Sequence, residues 1–282
     1  MTSRKKYPHQ DYQGDYLSRR DLIKRMLALG GIGAAGAYLA YAPEDYPGSL
    51  RDYTGLRGMP VETPFQLPDF RVEPANPGIQ LGVGRGGDTR TMLLKALDAV
   101  GGLKHFVQPG DVVLVKPNVA FDRSPNLGAT TNPAIIDTLV RLLLVDARAA
   151  EVRVADNPIE SPADCFAKSG IGAAAEQAGG RVYLPDPNAF EVLYTPGAKL
   201  IEEWAFFKRP FKNVNKVIGI APAKDHNLCH ASLGIKNWYG LLGGRRNQFH
   251  QDIHEIVSDL SIMIRPTLTI VDGTRVLMEN GP

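Results

Sequence analysis

Cysteine is nearly absent from this chain of 282 residues: there are two, Cys165 and Cys229. Two thiols cannot build a four-thiolate cluster or a four-cysteine zinc site, so no iron–sulfur cluster comes from this chain alone. They could pair in an oxidising compartment, or Cys165 could remain a free buried thiol. An excess of one charge is missing too, with 32 lysines and arginines against 30 acidic residues. Without a basic stripe carrying interleaved aromatics, nucleic acid is not an expected partner. No GxSxG elbow, P-loop or HExxH pair occurs, which removes the familiar signatures of serine hydrolases, P-loop nucleotide hydrolases and zinc proteases. GVGRGG at 82–87 has the GxGxxG form. No acidic residue ends the next strand as a dinucleotide site requires, so NAD is set aside.

Long apolar runs are also lacking. The uncharged stretch at 26–42 falls short of the ~20 residues a membrane span needs. It follows SRRDLIK at 18–24: paired arginines, two apolar residues and a lysine, leading into a Gly/Ala-rich core. This resembles a twin-arginine export signal, with Leu22 where phenylalanine is most typical. The alternative, a basic surface helix, is weakened by Gly30, Gly31, Gly33 and Gly36. The resemblance implies the twin-arginine translocation machinery as a partner, an exported, periplasmic or extracytoplasmic location, and folding before transport, which suits a protein that loads a cofactor. Small-x-small sites lie at 35–37 and 40–42, and Pro43 obstructs cleavage after the second. A tether through an uncleaved leader stays open, as the one membrane contact foreseen.

What is present is an alternating α/β pattern, with 44% hydrophobic residues, enough for a sizeable core. The expected organisation is a leader over 1–42, a Pro/Gly/Asp/Tyr-rich linker or arm over 43–78, and an α/β domain over 79–282. Helices are predicted at 88–100, 132–144, 162–178 and 248–264. Strands are predicted at 111–116, 151–155, 181–184, 216–221 and 267–271. Short apolar strands separated by amphipathic helices imply a mostly parallel sheet with helices on both faces, a Rossmann-like three-layer arrangement. Asn132 before Pro133 and Ser161 before Pro162 mark helix starts. The last residues, ENGP, follow a buried strand with no helix after it, so the chain is expected to be incomplete at its C-terminus.

In parallel sheets ligands bind beyond the carboxyl ends of the strands. Those ends carry Lys116, Asn118 and Arg123; Thr130 and Thr131 before the capped helix; Asp156; Lys224, Asp225 and His226; and Asp272. Cations outnumber carboxylates in these loops, which favours an anionic small molecule, helped by helix N-termini. The bland alternative for each residue taken singly is a solvated loop side chain. The segment 224–244, KDHNLCHASLGIKNWYGLLGG, is the densest. Within it His226, Cys229 and His230 fall at i, i+3 and i+4, which on a helical turn would face a metal together. His250 and His254 repeat the interval, and His254 is taken as the fourth candidate ligand. Hydrogen-bonding or acid–base roles for these histidines remain the alternative.

The motifs VLVKPN (113–118), ATTNP (129–133), VADNP (154–158), GIKNWYGLLGG (234–244), IHEIVSDL (253–260) and TIVDG (269–273), in this order, resemble the family filed as domain of unknown function 362. The resemblance covers about 79–282 and implies further glycines and another α/β stretch after ENGP. Some members of that family carry a ferredoxin-like iron–sulfur segment. The Thr/Pro loop, the histidine pair and the lysine before a glycine turn also look distantly like the lactate racemase group, which implies proton or hydride movement at a hydroxy-acid carbon.

The sequence thus leads to an exported enzyme with an isomerase- or oxidoreductase-like site and a metal or redox cofactor left open. His226, His230, Lys236 and Asp156 are the catalytic candidates. Lys116, Asn118, Arg123, Thr130, Thr131, Lys224, Asn237 and Asp272 are the candidates for binding the ligand. The rival is a non-catalytic periplasmic ligand- or cofactor-binding protein.

Overall fold

The computed structural model describes residues 24, 27–34, 63–279 and 281. The chain divides into two units at residue 53. In the first, residues 27–34 are helical, with Leu27, Leu29 and Ile32 exposed. The arginine pair and both small-x-small sites lie outside the described residues. Among the described residues no helix is long and apolar enough to cross a membrane.

The second unit is built on a parallel sheet. Strands β1 (Val112–Lys116), β2 (Glu151–Ala155) and β3 (Arg181–Tyr183) run outward in sequence order, so the sheet reads β3-β2-β1. The chain then returns to the other side of β1. There β6 (Lys216–His226) pairs in parallel with β1, and β8 (Leu268–Leu277) pairs in parallel with β6. The order β3-β2-β1-β6-β8 therefore reverses direction between β1 and β6. Past the end of β1, the free edge of β6 folds back onto β7 (His230–Ser232) as an antiparallel hairpin.

Alternation along the strands feeds two cores. Val113, Val115, Val152, Val154, Ile218 and Ile220 face the helices Thr89–Ala99, Pro133–Arg141, Pro162–Lys168 and Ile171–Gln177. Leu114, Ala155 and Val217 face the other way, toward Trp238, Leu241 and the helix Ile253–Met263. The molecule is a three-layer α/β fold with a mostly parallel sheet. The second covering layer is completed by an antiparallel pair, β4 (Phe190–Tyr194) with β5 (Glu203–Phe207), which lies in a region left unassigned by sequence pattern.

Several local expectations change. The helix predicted over 162–178 is two helices, because Gly170 adopts a left-handed backbone (φ 73°) between them. Ser161 makes no side-chain cap, whereas Asn132 accepts a hydrogen bond from Ala134 N. Packing also begins before residue 79: Phe70 is buried and its carbonyl accepts from Thr267 Oγ1, and Phe65 bridges to Leu193. The glycines of GVGRGG serve close approach to a helix. A Cβ on Gly82 or Gly84 would stand 2.1 Å or 1.9 Å from the carbonyl oxygens of Ala96 and Met92.

Candidate functional site

The reversal between β1 and β6 opens the sheet at its carboxyl edge, the place where doubly wound folds receive ligands. Asn237 fills the split. Its Nδ2 donates to Lys116 O and Ile220 O, each at 3.1 Å, tying the ends of β1 and β6 together. Its Oδ1 accepts from Lys116 Nζ (2.9 Å) and Asn118 Nδ2 (3.2 Å). Thr131 adds a second tie, its hydroxyl donating to Ile220 O and accepting from Asn118 N.

Lys116 and Asp156 form the floor. The Nζ lies 2.6 Å from Asp156 Oδ1, and both side chains are buried. Lys116 gives its remaining donors to Asn237 Oδ1 and Pro117 O, so all three protons are placed. Burial pulls this ammonium below its ordinary pKa, and Asp156 pulls it back up. Asp156 also accepts from Val119 N and Asn157 N. Gly240 is needed here because a Cβ would sit 2.1 Å from Asp156 Oδ1 and 2.7 Å from Lys116 Nζ.

Above this floor the hydrogen-bonding groups are not all taken. Lys224 is 5% exposed and donates to Asn118 Oδ1 (3.1 Å) and Ala129 O (3.0 Å), with no carboxylate partner among the described residues. Burial, aided by Lys236 and Lys116 and opposed by Asp156, brings its pKa down to about 7. Lys236 has no hydrogen bond or ion pair among the described residues; its Nζ stands 5.5 Å from the centre of the Tyr239 ring. Burial lowers its pKa as well. Thr130 is buried and its hydroxyl has no partner among the described residues, a condition that costs about 1–3 kcal/mol when nothing fills it.

The two histidines that meet are His226 and His250, with ring centroids 6.4 Å apart and planes within 6° of parallel. His226 Nδ1 accepts from Leu228 N (3.1 Å) and Cys229 N (3.4 Å), which puts the proton of the neutral ring on Nε2. In the second ring the assignment is reversed. The Tyr239 hydroxyl donates to Arg246 O, so His250 Nδ1 donates to Asn247 O at 3.1 Å and Nε2 keeps the lone pair. Burial first, then Lys236, His250 and Lys224, takes His226 down to about 4. Burial also lowers His250. The pair therefore presents an N–H and a lone pair, both neutral near pH 7.

The structure gathers Lys116, Asn118, Thr131, Asp156, Lys224 and Asn237 by direct hydrogen bonds, with His226 on the same strand as Lys224. Asp272 is elsewhere in role: its carboxylate accepts from Asn132 N, Thr274 N and Thr274 Oγ1, fixing the start of the helix Pro133–Arg141. Arg123 is exposed and reaches Glu160 at 3.6 Å. Arg246 binds the carbonyls of Tyr239, Leu242, Asn157 and Pro158, so it clamps loops. The helical turn expected around His226, Cys229 and His230 is instead a hairpin, with His226 opposite His230 across it and His230 at φ 60°. His254 is exposed, and no group of three or more metal-ligating side chains is assembled among the described residues. His250, one turn earlier, was missed as a site residue; the repeated i, i+4 spacing pointed at the segment but not at which member turns inward. A cavity of about 910 Å³ lies apart from the lysines and histidines, between the apolar residues of 79–84, the helix Thr89–Ala99 and the start of β8.

A mostly parallel α/β sheet whose strand order reverses at a switch point, with titratable groups gathered there, has the layout of the doubly wound class. The chain belongs to the family described as Domain of unknown function (DUF362), matched over residues 113–282. It is 25% identical over 211 residues to the thylakoid-associated protein sll1697 of Synechocystis sp., a match covering 70% of this chain and 62% of that protein's length. Similar solved structures include the lactate racemase apoprotein of Thermoanaerobacterium thermosaccharolyticum, which gives a TM-score of 0.37 at 15% identity, covering 74% of this chain and 53% of that one. A Thermotoga maritima protein gives 0.34 at 14%, covering 60% and 48%.

Proposed function

We propose that the chain carries the binding and proton-transfer centre of an exported enzyme acting on a small anionic acid. Lys236, with Lys224 beside it, receives the carboxylate. The His226 N–H and the His250 lone pair give and take a proton at the carbon next to a carboxylate or carbonyl group. The observation that supports this reading is the pair of parallel imidazoles in opposite tautomers beside two lysines that have no carboxylate partner among the described residues. A buried neutral ring, His226, facing a half-buried one, His250, suits acid–base work near neutral pH. Lys116, Asp156 and Asn237, whose hydrogen-bonding groups are occupied, position the others.

Calorimetric titration with lactate, oxalate and phosphate tests the binding half. Lys236→Ala should weaken the best of these by about tenfold or more, since a charge-assisted hydrogen bond is worth about 1.5–3 kcal/mol. Deuterium exchange at carbon, followed by NMR for lactate and pyruvate in heavy water, tests the other half. Exchange that is lost in both His226→Gln and His250→Gln supports the assignment. Binding of lactate without exchange of either compound would favour the rival, a non-catalytic binding protein; binding of none of the three anions removes the anion site.

A further inference from the structure

Lys224 is arranged in a way that holding an anion does not require. Its Nζ is aimed by two neutral acceptors, Asn118 Oδ1 and Ala129 O, and no counter-ion reaches it among the described residues. The Phe121 ring lies near it, its centre 5.3 Å away. Its backbone is fixed on both sides, pairing with Ser232 of β7 and Leu277 of β8. Lys116, by contrast, has a carboxylate at 2.6 Å and no proton left to give. A desolvated lysine without a counter-ion is the form in which the amine acts as a nucleophile toward carbonyl carbon. The surroundings complete the requirement. His226 lies two residues along the same strand and so on the same face. The Thr130 hydroxyl, without a partner among the described residues, belongs to the loop that supplies Ala129 O.

We propose that Lys224 forms an imine with the carbonyl carbon of a small 2-oxo acid whose carboxylate is held by Lys236. This rests on the reading of the cluster as a site for a small anionic acid. The neutral Nζ attacks the carbonyl carbon, the C–N bond forms, and the carbonyl electron pair moves to oxygen. One proton passes from nitrogen to that oxygen, giving a carbinolamine. The nitrogen lone pair then forms C=N as the C–O bond breaks, and the oxygen leaves as water after taking a second proton from solvent, while the nitrogen keeps its own. Amine, carbonyl compound and that proton become protonated imine and water, with no oxidant or reductant. The protonated imine draws electrons from the adjacent C–H, the bond at which the histidine pair would act. The lowering of Lys224 to about 7, by burial with Lys236 and Lys116 against Asp156, keeps a large share of it as free amine near neutral pH.

The test is reductive trapping. The folded chain is incubated with pyruvate, and separately with glyoxylate, then treated with borohydride, weighed intact and peptide-mapped. One carboxyalkyl group per chain, on Lys224, is expected, and saturating oxalate should suppress it. Lys224→Arg should lose it while keeping its circular dichroism spectrum. Should that variant fail to fold, the oxalate protection in the unmodified chain decides alone. No adduct, or adducts spread over surface lysines and indifferent to oxalate, would overturn the proposal. Lactate, which has no keto or aldehyde group, separates the two readings. Heat on binding lactate without a pyruvate adduct ends the imine and leaves the anion site, whereas neither signal ends both.

Discussion

Lys116 and Asp156 show how far a residue's role can differ from its address. Both stand at strand ends, where sequence alone points to ligand chemistry, and that address is correct. What the sequence does not carry is the number of partners each finds. Lys116 meets the carbonyl of its neighbour Pro117, Asp156 just past β2 and Asn237 at the end of the short helix Gly234–Asn237, and nothing in VLVKPN announces that the two distant partners take its other protons. A buried pair of this kind is costly to break because the survivor is left charged and unpaired. Asp156→Asn is therefore expected to lower the unfolding free energy by about 3–5 kcal/mol in urea titrations, with Lys116→Met in the same range. The double variant should cost clearly less than the sum. Additive losses would mean that the two do not act as a unit. Gly240→Ala should fail at the same place, since its methyl would enter the space of both charged atoms. Its expected signature is a large drop in melting temperature, smaller when Asp156 is first replaced by a shorter residue.

Among the elements, the strands and helices of the parallel sheet were legible because each carries one period and marked ends. Glu151–Ala155 matches its predicted range, and the helix Thr89–Ala99 begins at Asp88, whose side chain caps Thr91 N. Elements whose form depends on distant partners were not legible. The pair β4 and β5 is held by Phe65, Leu242 and the aromatic core rather than by its own alternation. The extension of β6 from residue 221 to His226 exists because β7 and β8 supply neighbours. That extension is what carries Lys224 and His226 into the site and turns the expected helical trio of His226, Cys229 and His230 into a hairpin. Gly219 shows the same dependence: Trp238 packs against it so closely that a Cβ would stand 2.6 Å from the ring. Gly219→Ala should push Trp238 out, costing about 1–3 kcal/mol as an overpacked core position does and shifting the tryptophan fluorescence. An unchanged spectrum and unfolding midpoint would show that β6 and the 234–241 segment can separate at little cost.

For the whole molecule, groups buried in their neutral forms make stability depend on pH in a definite direction. His226 titrates at about 4 in the folded chain, below the ordinary 6.5. Between those values the unfolded chain binds the proton and the folded chain does not, so stability falls as pH drops from about 6.5 to 4. His250 is lowered in the same direction and adds to the slope. Lys224 repeats the logic higher up, at about 7 against an ordinary 10.5. Through that window the unfolded chain holds the extra proton, so stability rises with pH. The raised Tyr239 phenol opposes this above about 10, because there the unfolded chain ionises first. Exposed carboxylates such as Asp88 and Asp186, held below their usual range by hydrogen bonds to Thr91 and Arg209, act at lower pH and do not blur either window. Urea midpoints at about pH 5, 7 and 9 should therefore climb in two steps, each on the order of 1–3 kcal/mol given the size of the shifts. His226→Gln should reduce the lower step, leaving the part that His250 carries, and Lys224→Met the upper one, leaving the part that Lys236 and Lys116 carry. A midpoint that is flat or falls from pH 5 to 7 would mean that His226 is charged and solvated in the folded chain, and with it the neutral imidazole pair proposed as the proton-transfer device would be lost.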